Sequence, residues 1–124
     1  MIHLDTGFLI HAIVAGTNAD RLLRRWLAAG TPVAMSTIAW AEFLCGPLAA
    51  AQRTLALHVV TVREPFLYED AQVAAAAFNR SGRRRGTFID CMIAASAMRV
   101  GARLATTNPA DFQRLDPRLD LVSA

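Results

Sequence analysis

Four carboxylates occupy positions from which they could do chemistry. Asp5 directly follows the short apolar run Met1 to Leu4. Glu42 interrupts the segment Ile38, Trp40, Ala41, Phe43, Leu44, which is otherwise apolar. Asp90 lies in the first turn of an apolar helix, and Asp111 follows a short strand by a few residues. An unpaired carboxylate in a buried segment is costly, so Glu42 in particular implies a cation or a hydrogen-bond network. Carboxylates gathered in one cleft repel one another unless a hard cation sits between them. Magnesium accepts such a set, with one or two carboxylates, several waters and phosphate oxygens. A cation held there can polarise a bound oxygen and lower the pKa of a bound water.

Each acid also has a plainer reading. Thr87-Phe88-Ile89-Asp90 has the spacing of a capping box. Asn108-Pro109-Ala110-Asp111 is a second, with proline at the first helical position. Asp5 could cap the helix after it, and Glu42 could face solvent. On that reading the chain is a non-catalytic α/β interaction module whose acidic residues are helix caps. The residues alone leave both readings open.

Composition narrows the rest. The chain has 124 residues and no lysine; all 13 basic residues are Arg. That length fits a single domain over residues 1–124. A Walker-A phosphate loop and Schiff-base chemistry are excluded, because both need lysine. A phosphatase or phosphotransfer domain built on Asp5 loses ground for the same reason. It would also prefer a second Asp where Gly7 stands. The net charge of +3 permits a nucleic-acid partner without requiring one. Cys45 and Cys91 cannot build a disulfide framework, and no Cys-x-x-Cys occurs. No signal-peptide pattern and no membrane-length apolar run is present, so the expected setting is cytoplasmic.

The elements that must position the acids alternate strand and helix. Strands are expected at Met1–Leu4, Pro32–Met35, Val59–Val62, Arg103–Ala105 and Leu119–Val122. Helices are expected over Phe8–Val14, from an Asn18 cap to Ala29, from Ser36 or Thr37 to Gly46-Pro47, and on to about Leu57. Others run from Pro65 to about Arg80, from Thr87 to near Gly101, and for one turn over Pro109–Phe112. Val59–Val62 reads as a buried strand because it is β-branched. The alternation predicts a parallel α/β sheet with helices on both faces. Ligands of such sheets bind beyond the carboxyl ends of the strands, which is where three of the four acids fall. Alanine contributes 24 residues, which suits closely packed helices.

Taken together the residues resemble a known family, the PIN-domain ribonucleases, and within it the VapC-type toxins of bacterial toxin–antitoxin pairs. The matching pieces are Leu4-Asp5-Thr6-Gly7-Phe8-Leu9-Ile10, Trp40-Ala41-Glu42-Phe43, Asp90-Cys91-Met92-Ile93-Ala94-Ala95-Ser96-Ala97 and Thr106-Thr107-Asn108-Pro109-Ala110-Asp111-Phe112. The third is fairly specific, and all four in this order span the chain. The resemblance implies a PIN-like (Rossmann-like) three-layer α/β/α sandwich with a mainly parallel sheet of about four to five strands. It implies Mg²⁺- or Mn²⁺-dependent cleavage of RNA, whether tRNA, rRNA or mRNA. Asp5, Glu42, Asp90 and Asp111 become catalytic and metal-site carboxylates, with Thr6 and Asn108 in support. The fourth acid falls at Asn108 in some members and at Asp111 in those that resemble this chain. Gly7 departs from the pattern, since Asn or Ser is common there and helps hold the site.

The resemblance further implies a cognate VapB-like antitoxin covering the cleft, and a homodimer. The stretch Ile38 to Leu57, with Trp40, Phe43, Leu44 and Leu48, is a surface for one of these or simply core. Arg83, Arg84 and Arg85 immediately precede the Asp90 helix and could grip RNA phosphates; the alternative is a solvated loop. His3, His11 and His58 read as core or surface histidines. Trp26 and Trp40 read as core or interface, and both cysteines as small hydrophobes.

Overall fold

A computed structural model describes residues 1–124. Five strands form one sheet: β1 Ile2–Leu4, β2 Val33–Ser36, β3 Val62–Glu64, β4 Arg103–Thr106 and β5 Leu121–Ser123. Their spatial order is β3-β2-β1-β4-β5, and every pairing is parallel. The chain therefore builds leftward from β1 to β3, then returns past β1 to add β4 and β5. This reversal puts the topological switch point between β1 and β4, the place where an open parallel sheet leaves a crevice.

Seven helices connect the strands: α1 Thr6–Ala12, α2 Asn18–Ala28, α3 Thr37–Cys45, α4 Ala50–Val59, α5 Tyr68–Arg80, α6 Phe88–Arg99 and α7 Pro109–Gln113. Right-handed crossovers carry the helices of the leftward and returning halves to opposite faces, giving an α/β/α sandwich. Leu4, Phe8, Met35, Phe43, Ile93, Leu104 and Phe112 are among the buried core residues. Phe8 stacks on Trp26 with ring centroids 5.5 Å apart, fixing α1 against α2. The buried faces of α5 and α6 are lined by Ala74 and Ala77, and by Cys91, Ala94, Ala95 and Ala97. Small side chains there let the two helix backbones approach closely.

Several boundaries differ from the sequence expectation, each for a local reason. Asn18 does not cap α2. Thr17 does, its Oγ1 accepting from Asp20 N at 3.0 Å. Val59–Val62 is not a buried strand: α4 runs through Val59, and Val60 N still donates to Ala56 O. The strand starts at Val62 instead, at an edge of the sheet, where it is largely exposed. Arg63 and Glu64 on that edge discourage pairing with another chain. Pro65 lies outside α5, which begins at Tyr68 because Asp70 Oδ2 accepts from Leu67 N at 2.9 Å. β5 begins two residues later than expected. Cys45 is exposed, and only Cys91 is buried.

Two buried acids hold the frame. Asp70 accepts from Arg99 Nε at 2.9 Å and Ser96 Oγ at 3.2 Å, and Arg99 also reaches Glu64 at 3.0 Å. These bonds fasten α5, α6 and β3 together. Asp116, after α7, accepts from Arg118 Nη2 at 2.7 Å and from Arg80 Nη2 at 3.1 Å. These bonds hold the Asp116 carboxyl at about 2, Arg118 contributing most.

Candidate active site

The acids reach one place from four separate segments. Asp5 N donates to Ala105 O, and the β1–β4 register pairs Leu4 with Ala105. Asp5 therefore emerges at the carboxyl end of β1, beside Thr106 at the end of β4. Its Oδ1 accepts from Phe8 N at 2.6 Å, so Asp5 is also the N-cap of α1. Glu42 is carried by α3, whose start is set by Ser36 Oγ accepting from Ala39 N at 3.0 Å. Thr6 Oγ1 donates to Glu42 Oε1 at 2.6 Å and lies 3.3 Å from Ala39 O. Asp90 is the third residue of α6, and Asp111 the third of α7.

All four acids line one cleft of about 280 Å³, together with Thr6, Gly7, Ile93, Asn108 and Phe112. Asp5 is buried, Glu42 and Asp90 are half-buried, and Asp111 is exposed at the rim. The capping-box alternative fails at both later acids. Thr87 makes no side-chain cap bond; its Oγ1 donates back to Arg84 O. Asn108 makes none either. Freed from capping, Asp90 and Asp111 present their carboxyls to the cleft.

Electrostatics record how close these charges are. The Asp90 carboxyl is pushed up to about 6, by burial first and then by the negative charges of Asp111, Asp5 and Glu42. Asp5 is also raised. Burial is the largest cause, opposed by the Thr106 hydroxyl and Phe8 N–H and reinforced by Glu42. No three His, Cys, Asp or Glu side chains stand close enough together in this structure to hold a metal ion among them. The donor set is nonetheless all carboxylate oxygen in an open cleft, which fits a hard cation that keeps several waters.

Arg83, Arg84 and Arg85 are exposed and do not line the cleft. Arg83 is partly committed. It bonds Asn79 Oδ1, lies over the Phe78 ring at 5.5 Å and has φ 56°, a left-handed conformation. Arg84 and Arg85 have no ion-pair partner. The sequence motifs assign no role to Thr106, whose Oγ1 accepts from Asn108 N at 2.9 Å and stands beside Asp5. Only the strand register reveals that neighbourhood.

A PIN domain model matches residues 2–117. The chain belongs to the PIN domain family. Three similar solved structures cover 86% to 100% of the chain. A VapBC complex from Rickettsia felis bound to a promoter DNA fragment superposes with a TM-score of 0.78 at 22% identity, covering 100% of this chain and 99% of that one. A toxin–antitoxin complex from Klebsiella pneumoniae gives 0.76 at 25% identity, covering 99% and 97%. A sarcin–ricin-loop-cleaving VapC toxin of Mycobacterium tuberculosis gives 0.61 at 23%, covering 86% and 88%. No curated protein sequence matches significantly.

Proposed function

We propose that this PIN domain is a metal-dependent endoribonuclease, the toxin of a toxin–antitoxin pair. The observation that carries this reading is the convergence of Asp5, Glu42, Asp90 and Asp111 on one cleft at the sheet's switch point. The raised carboxyl of Asp90 adds to it, since that acid is poised for a cation to relieve the repulsion. One or two carboxylates of this set, with waters completing the shell, would hold Mg²⁺ or Mn²⁺. When bound, the ion supplies polarisation of the scissile phosphate and activation of the attacking water.

The chain's own residues supply position. Thr6 fixes the Glu42 carboxylate through its 2.6 Å bond. The Phe8 amide and Thr106 hydroxyl favour the ionised form of Asp5 and offset part of the effect of burial. One of the carboxylates orients the water and takes its proton. Arg84 and Arg85, five or six residues before Asp90, offer cations to phosphates outside the acidic cleft, with Arg83 partly engaged elsewhere. Without cations nearby, the cleft alone would repel a polyanion.

The partner proposal rests on the similar structures, several of which are toxin–antitoxin complexes. An antitoxin covering the cleft, and a homodimer, fit the exposed or half-buried apolar residues Trp40, Leu44, Leu48 and Leu55 along α3, α4 and the segment between them. No helix is long and apolar enough to cross a membrane. The cap-only module is disfavoured because Asp90 and Asp111 cap nothing.

The test is cleavage of single-stranded RNA by the purified chain with Mn²⁺, against Asp5→Asn and Asp90→Asn. Both variants should lose activity while staying folded, and co-expressed antitoxin should suppress the wild type. Undiminished cleavage by both variants would refute the assignment.

A further inference from the structure

Beside the acidic cleft lies a second concavity, lined by His11, Thr17, Asn18 and Thr107. A third adjoins it at Asn18 and is flanked by Arg21 and Arg25 of α2. Gly7 and Thr107 mark the divide between the first two. A Cβ on Gly7 would lie 3.5 Å from Thr107 Oγ1 and 3.8 Å from Asp5 Oδ1. At this divide Gly7 presents only backbone, in ordinary contact distance of Thr107.

The chemistry of this groove is opposite to that of the cleft. Arg24 is neutralised by Asp20 at 2.8 Å. Arg21 bonds only uncharged oxygens, Gly16 O at 2.7 Å and Asn18 Oδ1. Neither Arg21 nor Arg25 forms an ion pair within 4.0 Å, although the Arg21 charge also acts on Asp20 and the last residue, Ala124, lines both concavities. Both arginines are exposed. His11 Nδ1 lies 2.8 Å from Gly7 O, which can only accept, so Nδ1 carries the hydrogen. In the neutral ring Nε2 is then a free acceptor. A ribose 2′-hydroxyl is a donor that DNA lacks.

We propose that this groove is a ribonucleotide track on one side of the scissile phosphate. RNA leaving the cleft passes over Gly7, offers a ribose hydroxyl to His11 and places phosphates against Arg21 and Arg25. The proposal rests on the RNA-cleaving reading above. It adds a strand path separate from the loop of Arg83, Arg84 and Arg85, which lines neither concavity.

The experiment uses the full chain carrying Asp90→Asn, so that bound RNA is not cut. Binding of a fluorescein-labelled single-stranded oligoribonucleotide is followed by anisotropy across a salt series. Arg21→Gln/Arg25→Gln should flatten the plot of log affinity against log salt by about 1.4 units, ~0.7 for each phosphate no longer neutralised. His11→Ala should narrow the preference for RNA over the matching DNA. In the parent, the His11 ring and Asn18 amide NMR signals should shift on adding RNA, which needs no further variant. If the parent binds RNA but neither the slope nor these signals change, the track is wrong and the ribonuclease reading stands. If the parent binds no RNA, both readings fall. If the arginine variant keeps RNA but loses the antitoxin, the groove is a protein-docking surface and the proposal is overturned.

Discussion

Thr6 Oγ1 and Glu42 Oε1 meet at 2.6 Å across 36 positions of sequence, joining the start of α1 to the middle of α3. This bond sets where the Glu42 carboxylate sits relative to Asp5, one residue from Thr6. Thr6→Val keeps the shape and removes the donor. It should cost about 1 kcal/mol of stability and lower RNA cleavage, while Thr6→Ser restores both. Urea melts and cleavage rates measure the two effects. Full activity in Thr6→Val would show that Glu42 needs no such hold.

The Asp90 carboxyl makes the metal-free protein sensitive to pH. Its folded value of about 6 lies above the ordinary 3.8, so deprotonation favours the unfolded chain. The resulting penalty is absent below pH 3.8, grows up to about pH 6 and is constant above. Discounted for its exposed flank, it amounts to about 1–2 kcal/mol. Asp5, also raised, acts in the same direction. Without divalent ions, Asp90→Asn should therefore melt higher than wild type at pH 7.5 and no higher at pH 4. Added Mn²⁺ should stabilise the wild type more than the variant. A melting difference that ignores pH would contradict this account.

Asp111 should matter more to turnover than Asn108. Its charge is the largest electrostatic contribution to the raised Asp90 carboxyl after burial, and Asn108 makes no cap bond that a substitution would break. Asp111→Asn should reduce cleavage at least tenfold, about 1.4 kcal/mol of barrier. Asn108→Ser should change stability and rate little. The reverse ranking at equal stability would make Asn108 the fourth site residue.

Asp116→Asn should destabilise the protein by about 1–3 kcal/mol, because it strips a buried acceptor from Arg118 and Arg80. The native carboxyl is depressed to about 2, so its contribution is present above pH 3.8 and lost as pH falls towards 2. Acid melts of wild type and variant should converge there. A constant gap down to pH 2 would place the effect in packing rather than charge.

Replacing Arg83, Arg84 and Arg85 with Ala should weaken RNA binding at low salt without altering metal binding. Since Arg83 is engaged with Asn79 and Phe78, the salt slope should fall by about 1.4 units, for two neutralised phosphates at ~0.7 each. An unchanged slope in the Asp90→Asn background would mean that this loop is only solvated.

What the sequence by itself determined is the alternation of strand and helix, and the four acids with their neighbours. Periodicity and β-branching are local, so β1, β2, β4 and most helices could be read directly. Asp5, Glu42, Asp90 and Asp111 could be picked out because each interrupts or borders an apolar segment. Tertiary structure decided the rest. Val59 and Val60 suit a strand by propensity, yet with Ala56 and Val59 packed into the core α4 runs through Val59, and Val60 caps it. Thr87 and Asn108 have capping spacing, but nothing in a four-residue pattern says whether the carboxyl three positions on turns back to the helix or into a cleft. The β1–β4 register settled that Thr106 stands beside Asp5, and the crossover after β3 settled which acids face one another. Those relations span tens of residues, and side-chain position over such distances is fixed only when the sheet and its helices close around a common core.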